Sequence, residues 1–222
     1  MQGAQPPKFE ERLTGLLAPD AYVFAIPLAL VGGICWGAGY TIAAVSSWAL
    51  TAFVVSFFRN PEREIPPGDG VVASPADGRI IDVAEIEVAP GEKKLRIAIF
   101  LSVFNVHVNR APLAGRVVAI ERTGTKFLAA FNPDAEGLNV RLDVTLETAS
   151  GVRVRFAQIT GLIARRIICH TRVGDWLDKG ARYGLIRFGS RCDVVLPLGS
   201  VPRVAKGERV RGGSSVLAEL PR

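Results

Sequence analysis

Between Ala21 and Phe58 the chain carries no charged residue, and nothing else in it constrains the fold as tightly. Gly32-Gly33 interrupt the run, and Gly37 to Tyr40 separate two apolar halves, about 21–36 and 41–58. Each half is at or just below the roughly 20 residues that an α-helix needs to cross a bilayer. Two arrangements fit: a tight helical hairpin that enters or crosses the membrane, or two interfacial helices in one leaflet. A buried hairpin in a soluble core is the bland alternative. Lys8 and Arg12 precede the run while Arg59 and Arg63 follow it, which places both ends on the cytoplasmic face of a cell membrane. The run lacks a signal peptide's basic start and small-residue cleavage site, so we expect an anchor.

With 222 residues there is room for one well-buried domain and an appendage. Lys and Arg number 27 against 21 Asp and Glu, a net charge of +6 that favours anionic partners. Nucleic acid and anionic lipid both fit that sign. A hydrophobic content of 49% favours lipid, so no nucleic-acid partner is expected. Cys35, Cys169 and Cys192 form no C-x-x-C pair and read as incidental thiols of a reducing compartment. His107 and His170 are the only histidines, which leaves few positions for proton transfer.

Four segments follow: a polar stretch 1–20, the apolar hairpin 21–58, a linker 59–70 and a β-rich domain 71–222. Pro61, Pro66, Pro67, Gly68 and Gly70 keep the linker from continuing a helix. Beyond it the chain is written in short β-like runs, about ten to twelve, such as Gly78–Val83, Leu95–Phe100 and Gly115–Ile120. Val152, Val154 and Phe156 alternate with Arg153 and Arg155, the period-2 pattern of a half-exposed strand. A further helix is expected only near Thr125–Ala130. Ala76-Asp77-Gly78-Arg79-Ile80 echoes Ala114-Gly115-Arg116-Val117, and Val173–Ile186 echoes the stretch from Val204. Paired strands joined by such turns predict a mainly β, α+β fold: an antiparallel β-sandwich of lipoyl-like character with an N-terminal apolar helical hairpin.

Arg187-Phe188-Gly189-Ser190-Arg191 lies between two apolar strands, Tyr183–Ile186 and Asp193–Leu196. A serine in such a turn can attack the preceding peptide carbonyl, and glycine before it tolerates a strained backbone. Elimination of the ester and hydrolysis then leave a pyruvoyl ketone, an electron sink of the kind pyridoxal phosphate provides elsewhere. A Gly-Ser pair alone is weak evidence, because Gly199-Ser200 and Gly213-Ser214 also occur and turn serines are common.

Phe57-Phe58-Arg59-Asn60-Pro61-Glu62-Arg63, Ser74-Pro75-Ala76-Asp77-Gly78, Leu101-Ser102 with Val106-His107-Val108-Asn109-Arg110-Ala111-Pro112, and Arg182–Arg191 follow one another in that order. Over about residues 50–200 this series resembles the short bacterial type of phosphatidylserine decarboxylase. The resemblance implies a self-cleaving carboxy-lyase of phospholipid biosynthesis. Its precursor would be cut between Gly189 and Ser190 into a large chain, 1–189, and a small pyruvoyl chain, 190–222. Phosphatidylserine would be decarboxylated to phosphatidylethanolamine through a Schiff base on the group made from Ser190, with no metal and no pyridoxal phosphate. Leu198-Gly199-Ser200 echoes the cleavage motif of longer members, but valine follows it, which favours Ser190.

By the same resemblance His107 is the active-site histidine, and Asp77 is the acidic partner that orients a histidine or assists maturation. Unaided, His107 reads as a packed side chain between valines, and Asp77 as a turn aspartate. Longer members carry a second histidine where this chain has Arg110, which leaves the base for self-cleavage open. Arg110, Arg165, Arg166, Arg187 and Arg191 could hold a phosphate or carboxylate. Arg110 and Arg191, nearest in sequence to the proposed site, are the candidates for substrate binding. His170 beside Cys169 lacks companions at zinc spacing and reads as structural. Expected partners are phosphatidylserine and anionic membrane lipid, the two chains of one precursor, and a second copy of the protein. Two rivals are a non-enzymatic membrane-tethered lipoyl-like adaptor, suggested by Asp178-Lys179 in a turn, and a pyruvoyl decarboxylase of a soluble amino acid.

Overall fold

The computed structural model describes residues 15–128, 135–162, 166–187 and 190–221. They form two compact units, divided between Glu62 and Arg63.

The first unit is a pair of helices, α1 (Asp20–Gly37) and α2 (Thr41–Phe57). Gly39 turns the chain between them at φ +83°. The helices approach closely at Gly32, where a Cβ would run into the Trp48 indole. There Ser47 Oγ donates to the Leu28 carbonyl at 2.6 Å. Outward faces are apolar: Ile34, Ile42, Val23 and Leu30 are all exposed. By length and composition α1 can cross a bilayer, and α2 is one residue shorter.

The second unit is built from β1 (Val71–Ala73), β2 (Gly78–Ala89), β3 (Glu92–Leu101), β4 (Val108–Arg110), β5 (Gly115–Thr123), β6 (Arg141–Glu147) and β7 (Arg153–Ile159). It continues with β8 (Arg166–Cys169), β9 (Trp176–Leu177), β10 (Arg182–Arg187), β11 (Ser190–Pro197), β12 (Val201–Pro202), β13 (Arg209–Val210) and β14 (Val216–Glu219). An antiparallel eight-stranded sheet runs β13-β2-β3-β11-β7-β6-β5-β9, and two three-stranded sheets run β4-β10-β8 and β1-β14-β12. Ile97, Ile99, Leu146, Phe156, Tyr183 and Val194 fill the core. The expected helix near Thr125–Ala130 is absent from its described part: Lys126 forms an isolated bridge with Asn139, and residues 129 and 130 lie outside the described residues. A single helical turn, α3 (Ala135–Leu138), comes later. Gly124, at φ +76° against the Asn139 carbonyl, commits this stretch to pairing across the loop.

The sequence echo is an internal duplication. Gly78 and Arg79 pair with Val210 and Arg209, as Gly115 and Arg116 pair with Leu177 and Trp176. Gly207 N–H donates to the Ile80 carbonyl and Gly174 N–H to that of Val117, both at 2.8 Å. Gly174 and Gly207 have φ of +97° and +98°, and Gly180 and Gly213 of +82° and +83°. The halves face each other through two matching bonds of 2.9 Å, Ala73 N–H to the Pro112 carbonyl and Arg110 N–H to that of Pro75. Ser74-Pro75-Ala76-Asp77-Gly78 thus corresponds to Ala111-Pro112-Leu113-Ala114-Gly115.

Candidate active site

The chain passes twice between the eight-stranded sheet and the β4-β10-β8 sheet, after β3 and after β10. The chain leaves the eight-stranded sheet at Leu101, turns through Ser102–Asn105 and joins the three-stranded sheet at Val108. It returns from Arg187 of β10 to Ser190 of β11, and Phe188 and Gly189 in between lie outside the described residues. Ser190 pairs with Leu101, and Arg191 with Phe100 and Ile159. Ser190 is fully buried, and its Oγ has no hydrogen-bond partner among the described residues.

The first crossing holds His107. Asn105 Oδ1 accepts from Ser102 N–H at 2.9 Å and from Ser102 Oγ at 2.8 Å, which closes the turn. The His107 ring, buried just ahead of β4, sets Nδ1 2.9 Å from the Asn105 carbonyl. A carbonyl only accepts, so Nδ1 is the donor of this bond.

Asp77 lies at the same end of the eight-stranded sheet, next to Gly78, where a Cβ would strike the Phe100 carbonyl. Its carboxylate accepts from Arg63 Nη2 at 2.9 and 3.1 Å and from Gly212 N–H at 2.7 Å. An arginine and a backbone amide, rather than an imidazole, take up this carboxylate. Arg110 is buried, with Nη1 3.0 Å from the Gly180 carbonyl. Arg191 is also buried and grips Asp193 through Nε at 2.6 Å and Nη2 at 2.8 Å. Arg165 lies outside the described residues. Arg166 and Arg187 face one another across the β8–β10 ladder. His170 N–H donates to the Tyr183 carbonyl at 2.9 Å. Ser200 Oγ donates to the Pro197 carbonyl at 2.8 Å, as an ordinary turn serine does. Lys179, at the lipoyl-like hairpin, is tied to the Gly68 carbonyl at 2.6 Å. Among the described residues no cluster of three or more His, Cys, Asp or Glu could hold a metal ion.

A neutral polar interior lies on the face of β11 that bears Ser190 and Cys192. Cys192 pairs with Gln158, whose Nε2 donates to Asn109 Oδ1 at 2.9 Å. Burial pushes the Cys192 thiol and the Tyr183 hydroxyl well up from their ordinary values, so both stay protonated. Gln158 was legible by parity, since it continues the inward series Val154, Phe156. Arg63 gave no comparable signal, because nothing in its neighbourhood indicates that the linker reaches Asp77.

The comparisons with known proteins define a class first: a decarboxylase of mainly β fold. The family model described as phosphatidylserine decarboxylase matches residues 50–218. A relative from Pelobacter propionicus is 46% identical over 190 residues, 85% of this chain and 86% of its own. One from Paraburkholderia phymatum is 47% identical over 184 residues, covering 82% and 86%. One from Burkholderia cenocepacia is 43% identical over 206 residues, covering 92% and 96%. All three are named phosphatidylserine decarboxylase proenzyme. The chain belongs to the phosphatidylserine decarboxylase family and is an enzyme of the carboxy-lyase class.

Proposed function

We propose that this protein decarboxylates phosphatidylserine to phosphatidylethanolamine with a pyruvoyl group that it makes from Ser190 by cutting its own backbone after Gly189. The observation that carries this reading is the fully buried hydroxyl of Ser190 at the start of β11, without a partner among the described residues. A buried polar atom left without a partner costs about 1–3 kcal/mol, and this one belongs to the residue that follows Gly189 in the chain. Oγ adds to the Gly189 carbonyl carbon and the Gly189–Ser190 C–N bond breaks, leaving an ester. Loss of the Ser190 Cα proton then expels the Gly189 carboxylate. Addition of water and release of ammonia complete the ketone, giving chains 1–189 and 190–222.

A pyruvoyl group at residue 190 would supply the electron sink that pyridoxal phosphate provides elsewhere. His107, oriented by Asn105 through Nδ1, holds at Nε2 the proton for the carbon that loses carbon dioxide. Asp77 assists maturation. Arg110 and Arg191 anchor the phosphate or carboxylate of the headgroup, Arg191 sharing its charge with Asp193. Segment 21–58 anchors the enzyme to the cell membrane, with domain 71–222 on the cytoplasmic face beyond the 59–70 linker. The basic balance of the chain suits anionic lipid, at about 1 kcal/mol for each basic residue near the surface. A second copy is a further partner.

Intact-mass analysis of purified protein tests the reading. It predicts two chains, the smaller starting at a blocked residue 190, and carbon dioxide release from phosphatidylserine vesicles but not from free serine. An active, unbroken chain would refute it, as the adaptor alternative requires an uncut chain without activity.

A further inference from the structure

Asp77 stands where the internal duplication is broken. Its counterpart in the other half is Ala114, yet the turn there keeps the same glycine, the same strand register and the same crossing bonds. A carboxylate is therefore not needed to make the turn. The group that holds it, Arg63, belongs to neither half: it reaches in from the linker. Nη2 of Arg63 bridges both carboxylate oxygens, and each side chain is only 13% exposed.

The linker is fastened along the seam between the halves. Ile65 Cδ1 fills the space that a Cβ on Gly180 would occupy, and lies 3.2 Å from where one on Gly213 would be. Gly213 also makes room for Arg63, whose Cβ would be 3.4 Å from an added methyl, and for Arg110 Cδ at 2.8 Å. Further along, Lys179 Nζ holds the Gly68 carbonyl at 2.6 Å. An arginine fixed at this seam delivers its charge to Asp77 from a preset position, and little side-chain freedom remains to be lost.

We infer that Arg63 is a positioning residue for Asp77, which makes the strap that carries it part of the self-cleavage machinery as well as a tether. The inference rests on the maturation role proposed above for Asp77. It accounts for a feature the fold alone does not require: a carboxylate paired on one side of a duplication whose other side carries alanine.

The test follows self-cleavage of full-length precursor from the moment of synthesis, with melting of the uncut chain measured in parallel. Variants are Arg63→Ala, Arg63→Lys, Asp77→Asn and, as a control for loss of a paired surface arginine, Arg203→Ala, whose partner is Glu219. Arg63→Ala should slow cleavage ten-fold or more, Arg63→Lys should recover most of the rate, and Arg203→Ala should cleave at the parental rate. Cleavage of Arg63→Ala at the parental rate, with Asp77→Asn slow, overturns the inference and leaves the role of Asp77 intact. Parental cleavage by Asp77→Asn removes both. Equal slowing in Arg63→Ala and Arg63→Lys, with equally lowered melting, also overturns it, because a defect that charge does not repair is one of packing.

Discussion

The N–H of Ile186 donates to the carbonyl of His107 across 3.4 Å and docks the histidine on the strand that runs out toward Ser190. On the other side of the same crossing, Ser190 pairs with Leu101, where the chain sets off toward His107. The histidine thus docks on β10 and the serine on the end of β3.

Ser190→Ala should remain one chain of 23.8 kDa and release no carbon dioxide from phosphatidylserine vesicles. Ser200→Ala should cleave as the parent does, because its hydroxyl serves the turn at Pro197. Mass spectrometry of both variants checks this, and cleavage surviving in Ser190→Ala would move the junction.

His107→Ala should lower carbon dioxide release by about 10²–10⁴-fold, the usual contribution of a positioned acid or base. Asn105→Ala should lower it less, by freeing the Ser102 turn that presents the ring. Initial rates on matured protein separate this effect from any defect in cleavage.

Gly78→Ala and Gly115→Ala should each destabilise the fold by about 1–3 kcal/mol through overpacking. The new methyl meets the Phe100 carbonyl in one case, and Leu146 and the Glu147 carbonyl in the other. Only Gly78→Ala should also slow self-cleavage, since Phe100 and Leu101 pair with Arg191 and Ser190. Urea denaturation beside a cleavage time course distinguishes the two.

Burial pushes the Cys169 thiol up from 9.0 to about 11, and Cys192 and Tyr183 shift the same way. The unfolded chain releases these protons first. Their contribution to stability is therefore complete below about pH 9 and declines as pH rises toward 11. Denaturant midpoints measured from pH 8 to 11 should fall in that window. Alkylation of Cys169 in the folded protein should speed up about ten-fold per pH unit below its pKa, following the thiolate fraction.

Much of the fold was legible because it depends on local order. Alternating residues such as Val154 and Phe156 disclosed strands, and the charge-free run disclosed the helices. The duplication was legible in outline from Ala76–Ile80 and Ala114–Val117, but its extension to Ser74 and Ala111 emerged only from the reciprocal bonds of the two halves. The stretch from Thr125 was misread as helical because its residues suit a helix locally, whereas Lys126 and Asn139 pair across the loop.

By itself the sequence determined the composition of the molecule's parts: an apolar hairpin, a proline-rich linker, a run of short strands, and the motifs that place the chain in its family. These are properties of neighbouring residues, set by side-chain polarity and backbone preference. Tertiary structure decided that Arg63 and Gly212 hold Asp77, the latter from 135 positions away, that His107 docks on Ile186 and that Ser190 pairs with Leu101. Strand pairing brings such residues together, and a pairing partner is specified by the packing of the whole sheet rather than by any short stretch of the chain.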